Sequence, residues 1–156
     1  MTIATISARD SVGAIERLIE FGVDRRKVAR ALAGVCAQRL IRQICPSCRI
    51  AEEFSADTLY PLGYHPKDPA AKVTLYRGAG CEECRSIGYR GRGGVFEVLQ
   101  LNWDLRDLIT RNAEEGDLRD AARAAGMTPV NEDAIIRALA GITTVHEAVR
   151  WFPVAV

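Results

Sequence analysis

Two short cysteine pairs constrain the fold of this 156-residue chain more than any other feature of its sequence. The pairs are Cys45-Pro-Ser-Cys48 and Cys81-Glu-Glu-Cys84. Two intervening residues let both sulfurs of a pair point at one ion, and two pairs complete the tetrahedral shell that Zn²⁺ favours. We therefore predict that these four cysteines are the ligands of one structural zinc ion.

The segment that carries the pairs, residues 45–93, needs such a cross-link. It is rich in proline and glycine, its hydrophobic periodicity is weak, and only residues 72–76 are typical of a strand. A segment that buries little apolar surface needs another source of order. Structural zinc supplies apparent binding energies of about 10–16 kcal/mol in small metal-dependent modules.

Two other chemistries fit cysteine pairs and stay open. Four thiolates also hold iron, and a single C-x-x-C pair is typical of a redox disulfide. We rank zinc first, iron second and the disulfide third, because a redox disulfide leaves the second pair unexplained. A catalytic zinc keeps an open coordination position. We therefore assign no catalytic residue and no residue that binds any other cofactor.

Residues before the cysteine segment alternate between extended and helical patterns. Residues 2–6 predict a short strand. Asp10 is a helix N-cap, and Gly22 ends that helix. Asp24 caps a second, longer helix that we expect to reach about Ile44.

Residues after the cysteine segment predict one strand and then only helices. The strand covers residues 94–101. Four helices follow. Their predicted bounds are Asn102 as cap to Arg111, an Asn112/Glu115 capping box to Ala125, residues 132–140, and a Thr144/Glu147 capping box through Trp151.

Three single residues and one glycine-rich segment are assigned no chemical role. Cys36 is expected as a small buried residue of the second helix. His65 is expected in a solvated loop and His146 on the surface of the last helix. Residues 88–94 are expected to form a glycine-rich turn, and no stretch matches the phosphate loop G-x-x-x-x-G-K-[ST].

Residues 25–49 hold seven basic side chains and no acidic one. We favour a solvated helix face over a contact surface for an acidic partner, anionic lipid or nucleic acid. A formal net charge of +1 also argues against a nucleic-acid partner. The sequence contains no apolar run near the ~18 residues of a membrane span and no secretory leader, so we expect a cytoplasmic protein.

Several stretches together resemble one family, the ATPases of type II secretion and type IV pilus assembly. The two longest are Leu40-Ile-Arg-Gln-Ile-Cys-Pro-Ser-Cys48 and Gly80-Cys-Glu-Glu-Cys-Arg-Ser-Ile-Gly-Tyr-Arg-Gly-Arg-Gly-Gly-Val-Phe-Glu97. Residues 10–23, 34–40, 125–130 and 138–144 extend the resemblance over nearly the whole chain. The match is to the C-terminal third of such a protein.

The resemblance implies a part of a hexameric motor at the cytoplasmic side of the inner membrane. Family members bind ATP and Mg²⁺ in a RecA-like domain, and their four cysteines hold a structural zinc. Cys45, Cys48, Cys81 and Cys84 match those positions. The implied partners are neighbouring motor subunits and the inner-membrane platform protein or a cytoplasmic adaptor.

The chain also departs from the family pattern. The phosphate loop and the acidic Mg²⁺-binding segments would lie before Met1, and Ser7 stands where the family has a histidine associated with nucleotide sensing. Without a phosphate loop nothing positions ATP, so we expect no hydrolysis by this chain alone.

These inferences combine into one predicted organisation. We expect an α+β chain with a remnant of a RecA-like sheet in residues 1–44, a tetracysteine zinc subdomain in residues 45–93, and a last core strand with a helical subdomain in residues 94–156. Residues 2–6 would pair near 94–101. Its function would be subunit contact and docking, and the alternative is an independent zinc-stabilised adaptor that binds a motor or nucleic acid through the basic 25–49 face.

Overall fold

The computed structural model describes residues 2–62, 67–68 and 71–150, so His65 and Trp151 lie outside it. Six helices and four strands mix along these residues, as the α+β prediction requires. Their bounds are α1 Ser11–Glu20, α2 Arg25–Ala31, β1 Gly34–Ile44, β2 Arg49–Ser55, β3 Lys72–Gly78, β4 Tyr89–Gln100, α3 Trp103–Thr110, α4 Glu115–Ala124, α5 Val130–Leu139 and α6 Val145–Val149. None of the helices in the described ranges is long and apolar enough to cross a bilayer.

The strands form two small sheets of two strands each. β1 is hydrogen-bonded to β4. β2 and β3 run antiparallel, with Arg49 opposite Gly78 and Ser55 opposite Lys72. A short 3₁₀ turn precedes this hairpin at Pro46–Cys48, and another follows it at Glu82–Cys84.

The chain packs as two compact units. The first comprises Met1–Gln38 and Phe96–Val130, and the second comprises Arg39–Val95 and Asn131–Val156. Each unit is a set of residues that pack mainly against one another. The division into residues 1–44, 45–93 and 94–156 stays a prediction.

The first unit is built on apolar side chains from four helices. Val12 and Ile15 of α1 pack in one buried cluster with Leu105 and Ile109 of α3 and Leu118 of α4. Burial of each such side chain contributes about 1.5–3 kcal/mol relative to exposure. This cluster orders the segment that leads into β1.

Predicted caps explain where two of these helices begin. The Asp10 carboxylate accepts a hydrogen bond of 2.8 Å from Gly13 N, and Asn102 Oδ1 accepts one of 2.9 Å from Leu105 N. Each bond satisfies a backbone N–H that the first helical turn leaves without a partner. Gly22 follows α1 with φ +86°, the left-handed conformation expected of its glycine.

The predicted long helix from Asp24 to Ile44 is wrong. α2 ends at Ala31, and the residues beyond it form β1. Burial alternates from Gly34 to Ile41, which is the period of a strand. A Cβ on Gly34 would lie 2.8 Å from the Leu99 carbonyl oxygen, so the residue permits the close approach of β4. Pairing with a distant strand overrides the local helical pattern.

The predicted strand at residues 2–6, and its pairing with residues 94–101, are also wrong. Residues 2–8 adopt neither helix nor strand, and β4 pairs with β1 instead. Ile3 is 84% exposed. β-branched residues favour extended backbone, but a strand needs a partner and a buried face.

Two capping boxes and one hairpin differ from expectation. α4 begins at Glu115 after Glu114, with no side-chain cap, so the Asn112/Glu115 box is absent. Thr144 does accept a hydrogen bond from Glu147 N, but the Glu147 carboxylate is used elsewhere. β2 had no sequence signal of its own, because exposed polar residues dominate it.

A buried carboxylate of the first unit has no counterpart in the sequence-based expectations. Glu97 is 2% exposed and accepts hydrogen bonds from Ser11 N at 2.9 Å and Val130 N at 3.2 Å. The Ser11 hydroxyl also donates to it. Both backbone donors are first residues of helices, where N–H groups and the helix dipole favour an anion. This contact anchors the starts of α1 and α5.

Asp10 also joins an ion-pair network in the first unit. Its Oδ2 accepts hydrogen bonds from Arg119 at 2.9 Å and Arg9 at 3.1 Å, and both arginines also donate to Glu115. Burial raises the pKa of Asp10, but the Gly13 N–H and the two arginines outweigh burial, so its pKa is lowered overall. The folded state therefore favours the carboxylate.

Acid should remove the stability that the ionised Asp10 carboxylate contributes. A lowered folded-state pKa stabilises the fold above the unfolded pKa of about 3.9, and the benefit is lost as pH falls through the folded pKa. Urea unfolding at pH 7, 5, 4 and 3 should show that Asp10→Asn starts less stable than wild type and loses less stability on acidification. Equal losses in the two proteins would contradict this role, since other acid-sensitive groups affect both alike.

Candidate metal centre

The structure brings the four predicted cysteines together. Their sulfur atoms all lie within 4.8 Å of one another. The Cys45–Cys81 sulfur distance is 3.9 Å and the Cys48–Cys84 distance is 3.8 Å. Four sulfurs at tetrahedral corners, each ~2.3 Å from a zinc ion, would be about 3.8 Å apart. The donor set and its spacing fit a tetrahedral thiolate site.

A disulfide does not describe this arrangement. Each of the four cysteines is free, and the Cys81 and Cys84 sulfurs are 3.7 Å apart. A disulfide bond requires about 2.05 Å. Among the described residues, the candidate metal-binding group contains no histidine and no carboxylate. Such a set lacks the ligands and the open position that are typical of a catalytic zinc.

Backbone hydrogen bonds hold the two cysteine turns in place. Cys45 follows β1, and its N–H donates to the Gly88 carbonyl oxygen at 3.0 Å. The Cys48 carbonyl oxygen accepts from Ala79 N at 2.9 Å. A Cβ on Gly78 would lie 2.0 Å from the Gly88 oxygen, so only glycine fits where β3 approaches the second turn. The end of the hairpin is thereby fixed beside the sulfurs.

Amide N–H groups point at two of the sulfurs. Cys84 Sγ accepts hydrogen bonds from Cys81 N at 3.2 Å and Gly88 N at 3.3 Å, and Cys48 Sγ accepts one from Gly80 N at 3.3 Å. Burial raises the pKa of the Cys84 thiol, but these N–H donors and the neighbouring thiols outweigh burial and lower it to about 6. Burial and the neighbouring thiols raise the pKa of Cys48 to about 12. Four adjacent thiolates repel, so a cation is needed to ionise them together.

The other cysteine and histidine candidates lie apart from this group. Cys36 is exposed on β1, so its predicted burial in a helix is wrong. A strand turns alternate side chains outward, and Cys36 falls on the outward face. His146 is exposed in α6, as expected.

The basic segment 25–49 does not form a single helix face. It is divided between α2, β1 and the start of β2. Arg25 lies 3.5 Å from Glu16, and Arg49 donates to the Gly141 carbonyl oxygen and lies over the Tyr76 ring. The glycine-rich residues 88–94 belong mostly to β4, not to a turn.

A partly buried ion pair in the second unit was not expected from the sequence. Glu147 accepts hydrogen bonds from Arg42 N at 3.1 Å, Nε at 2.9 Å and a terminal guanidinium nitrogen at 2.6 Å. The guanidinium lies 4.1 Å from the Tyr89 ring centre, and the Tyr89 hydroxyl contacts Thr144 Oγ1. The pair joins the strand that precedes Cys45 to α6. No local pattern predicts it, because the partners are 105 positions apart.

Electrostatics show that this pair is charged in the folded state. Burial raises the pKa of Glu147, but the hydrogen bonds and charge of Arg42 outweigh burial, so its pKa is lowered. Hydrogen bonding to Glu147 in turn raises the pKa of Arg42. The pair therefore contributes stability that depends on both charges.

Comparison with known proteins places these features in a family. The family described as type II/IV secretion system protein matches residues 1–150. The chain is 36% identical over 147 residues to the type IV pilus assembly ATPase PilB of Thermus thermophilus, covering 94% of the chain and 16% of that protein. It is 35% identical to the type II secretion system protein E of Pseudomonas aeruginosa and 33% identical to the type II secretion system ATPase E of Vibrio cholerae. Each of these two alignments covers 96% of the chain and 29% of the relative. The chain thus spans less than a third of these relatives.

Proposed function

The chain belongs to the type II/IV secretion system protein family, and on that premise we propose that it is the C-terminal, zinc-binding part of a hexameric motor ATPase. The motor would power type II secretion or type IV pilus assembly, and this part would serve subunit contact and docking. The observation that carries the proposal is the group of four cysteine sulfurs within 4.8 Å, in a chain similar to such ATPases over nearly all its length.

Cys45, Cys48, Cys81 and Cys84 would hold the ion, and the ion would supply a cross-link. Zinc is the best candidate because the donor set is all thiolate and its spacing matches a tetrahedron. The link joins the end of β1 to the residues just before β4. It therefore fixes the β2–β3 hairpin as one rigid surface for a partner.

The same proposal assigns no hydrolysis to this chain. These residues contain no phosphate loop, so ATP and Mg²⁺ would be bound only by a full-length family member. The β1–β4 pair would be the remnant of a RecA-like sheet, and the cysteine segment an insertion into it. The partners would be neighbouring motor subunits and the inner-membrane platform protein or a cytoplasmic adaptor, at the cytoplasmic face of the inner membrane.

The test combines metal analysis with a binding assay. Mass spectrometry of the purified chain should find one zinc ion per chain. The zinc-loaded chain should co-sediment with a hexamer of a full-length relative such as the Pseudomonas aeruginosa protein, and should show no ATP turnover alone. Salt-sensitive binding to DNA or RNA without hexamer binding would instead support an independent adaptor. One iron ion per chain would contradict the zinc assignment.

A further inference from the structure

Two side chains between the cysteines connect the two C-x-x-C turns directly. Ser47 lies inside the first turn and Glu83 inside the second, and the Ser47 hydroxyl donates a hydrogen bond of 2.8 Å to Glu83 Oε2. The Arg90 guanidinium, on β4, donates to the same carboxylate oxygen at 2.5 Å. One carboxylate oxygen therefore joins both cysteine turns to the strand that follows the second.

This contact has the same spacing in sequence as the sulfur contacts. Cys45 and Cys81 are 36 positions apart, and so are Ser47 and Glu83. The two turns face each other position by position. The hydrogen bond therefore closes the same gap that a metal ion would close.

We propose that Ser47, Glu83 and Arg90 form a clasp that holds the two cysteine turns together and so sets the affinity of the metal site. The inference rests on the proposed metal site and deepens it. Closing the long loop between the turns costs conformational entropy. A hydroxyl-to-carboxylate hydrogen bond is charge-assisted and stronger than a neutral one. The clasp offsets part of that cost before the ion arrives, because a preorganised site loses less freedom on binding.

Glu82 provides a matched control for Glu83. It is the neighbouring residue of the same 3₁₀ turn and carries the same charge. Its carboxylate forms no hydrogen bond or ion pair with any other residue in the described ranges. Removing either carboxylate removes one negative charge from the same turn, but only removal of Glu83 opens the clasp.

The expected effect is moderate because the clasp is solvated. The side chains of Arg90 and Glu83 are 58% and 54% exposed. The clasp holds the backbone of the two turns and does not touch the sulfurs, so its contribution to affinity is that of one hydrogen bond to a charged group. We expect about a tenfold loss, because solvation reduces what a hydrogen bond to a charged group contributes.

The experiment measures Zn²⁺ affinity of the full chain by competition with a chromophoric chelator. Ser47→Ala and Glu83→Ala should each weaken binding about tenfold, and the double variant should bind no more weakly than the weaker of the two single variants. Ser47→Thr, which keeps the hydroxyl, should restore most of the affinity, and Glu82→Ala should match wild type. The Co²⁺ spectrum should keep its four-thiolate charge-transfer bands in every variant, which shows that the turns still fold.

The other possible results would contradict either the clasp or the proposed metal site. Additive losses in the double variant would mean that Ser47 and Glu83 act independently, and would overturn the clasp. A loss in Glu82→Ala equal to that in Glu83→Ala would also overturn it, because the effect would then be one of net charge. Wild-type affinity in Glu83→Ala would overturn it too. A wild-type chain that binds no metal would overturn the proposed function itself, and the clasp with it.

Discussion

Replacing Cys45 by serine should abolish stoichiometric metal binding and unfold the cysteine segment. Cys45 is fully buried and its sulfur is 3.9 Å from that of Cys81. A neutral hydroxyl is a poor ligand for zinc, which binds thiolate, and three remaining thiolates leave the shell open. Structural zinc contributes about 10–16 kcal/mol of apparent binding energy, so its loss is comparable to the whole stability of a typical domain.

The effect is measured as metal per chain, thermal unfolding and proteolysis. The variant should carry well under one ion per chain, melt at lower temperature, and be cleaved within residues 45–93. A strong chelator should give the same result with wild type. Cys36→Ser is the matched control, because Cys36 is exposed and lies outside the sulfur group. Unchanged metal content and melting in Cys45→Ser would disprove the structural role.

The convergence of the cysteines could be predicted because the chemistry lies in short-range spacing. A C-x-x-C turn places two sulfurs on one side of the chain whatever surrounds it, and two turns imply one shared ion. Helix caps are local in the same sense. Asp10 and Asn102 bond to N–H groups three residues away, so the sequence window contains both partners.

Strand partners could not be predicted because their contacts are long-range. β1 looked helical, since several of its apolar residues also fit a period of 3.6. Pairing with β4 decides the strand, and β4 begins only at Tyr89 and approaches β1 closely where Gly34 has no Cβ. β2 depends in the same way on β3 across the residues that separate them.

The partners of the two buried carboxylates, Glu97 and Glu147, could not be predicted for the same reason. Glu97 bonds to Ser11 across 86 positions and Glu147 bonds to Arg42 across 105. Glu147 even fits a local capping box, which the structure uses only in part. A residue that fits a local capping pattern, such as Glu147, can still have its main side-chain partner far away in the sequence.

Removal of Arg42, the distant partner of Glu147, should have the second large effect on stability. Arg42→Ala should lower the free energy of unfolding by about 2–3 kcal/mol at pH 7, because breaking a buried ion pair leaves an uncompensated charge. The Glu147 side chain is 2% exposed, and its carboxylate would keep one hydrogen bond, from the backbone N–H of residue 42, and an ion pair of 3.9 Å with Arg150. The estimate lies below the usual 3–5 kcal/mol because the Arg42 side chain is 36% exposed and partly solvated.

The pH dependence of this deficit distinguishes lost charge from lost packing. Arg42 outweighs burial and lowers the pKa of Glu147 in wild type, so wild type loses this stabilisation as pH falls through that lowered pKa. In Arg42→Ala the guanidinium no longer opposes burial, and only the residue 42 N–H and Arg150 still lower the pKa of Glu147. Its pKa should therefore rise relative to wild type, so protonation on acidification relieves the buried charge sooner. Chemical unfolding from pH 7 to pH 4 should show the deficit shrinking. Arg77→Ala removes an arginine whose pair with Glu52 is exposed, and should stay within about 0.5 kcal/mol of wild type. A deficit of constant size at every pH would mean that Arg42 stabilises the fold by packing on Tyr89 and not by its charge.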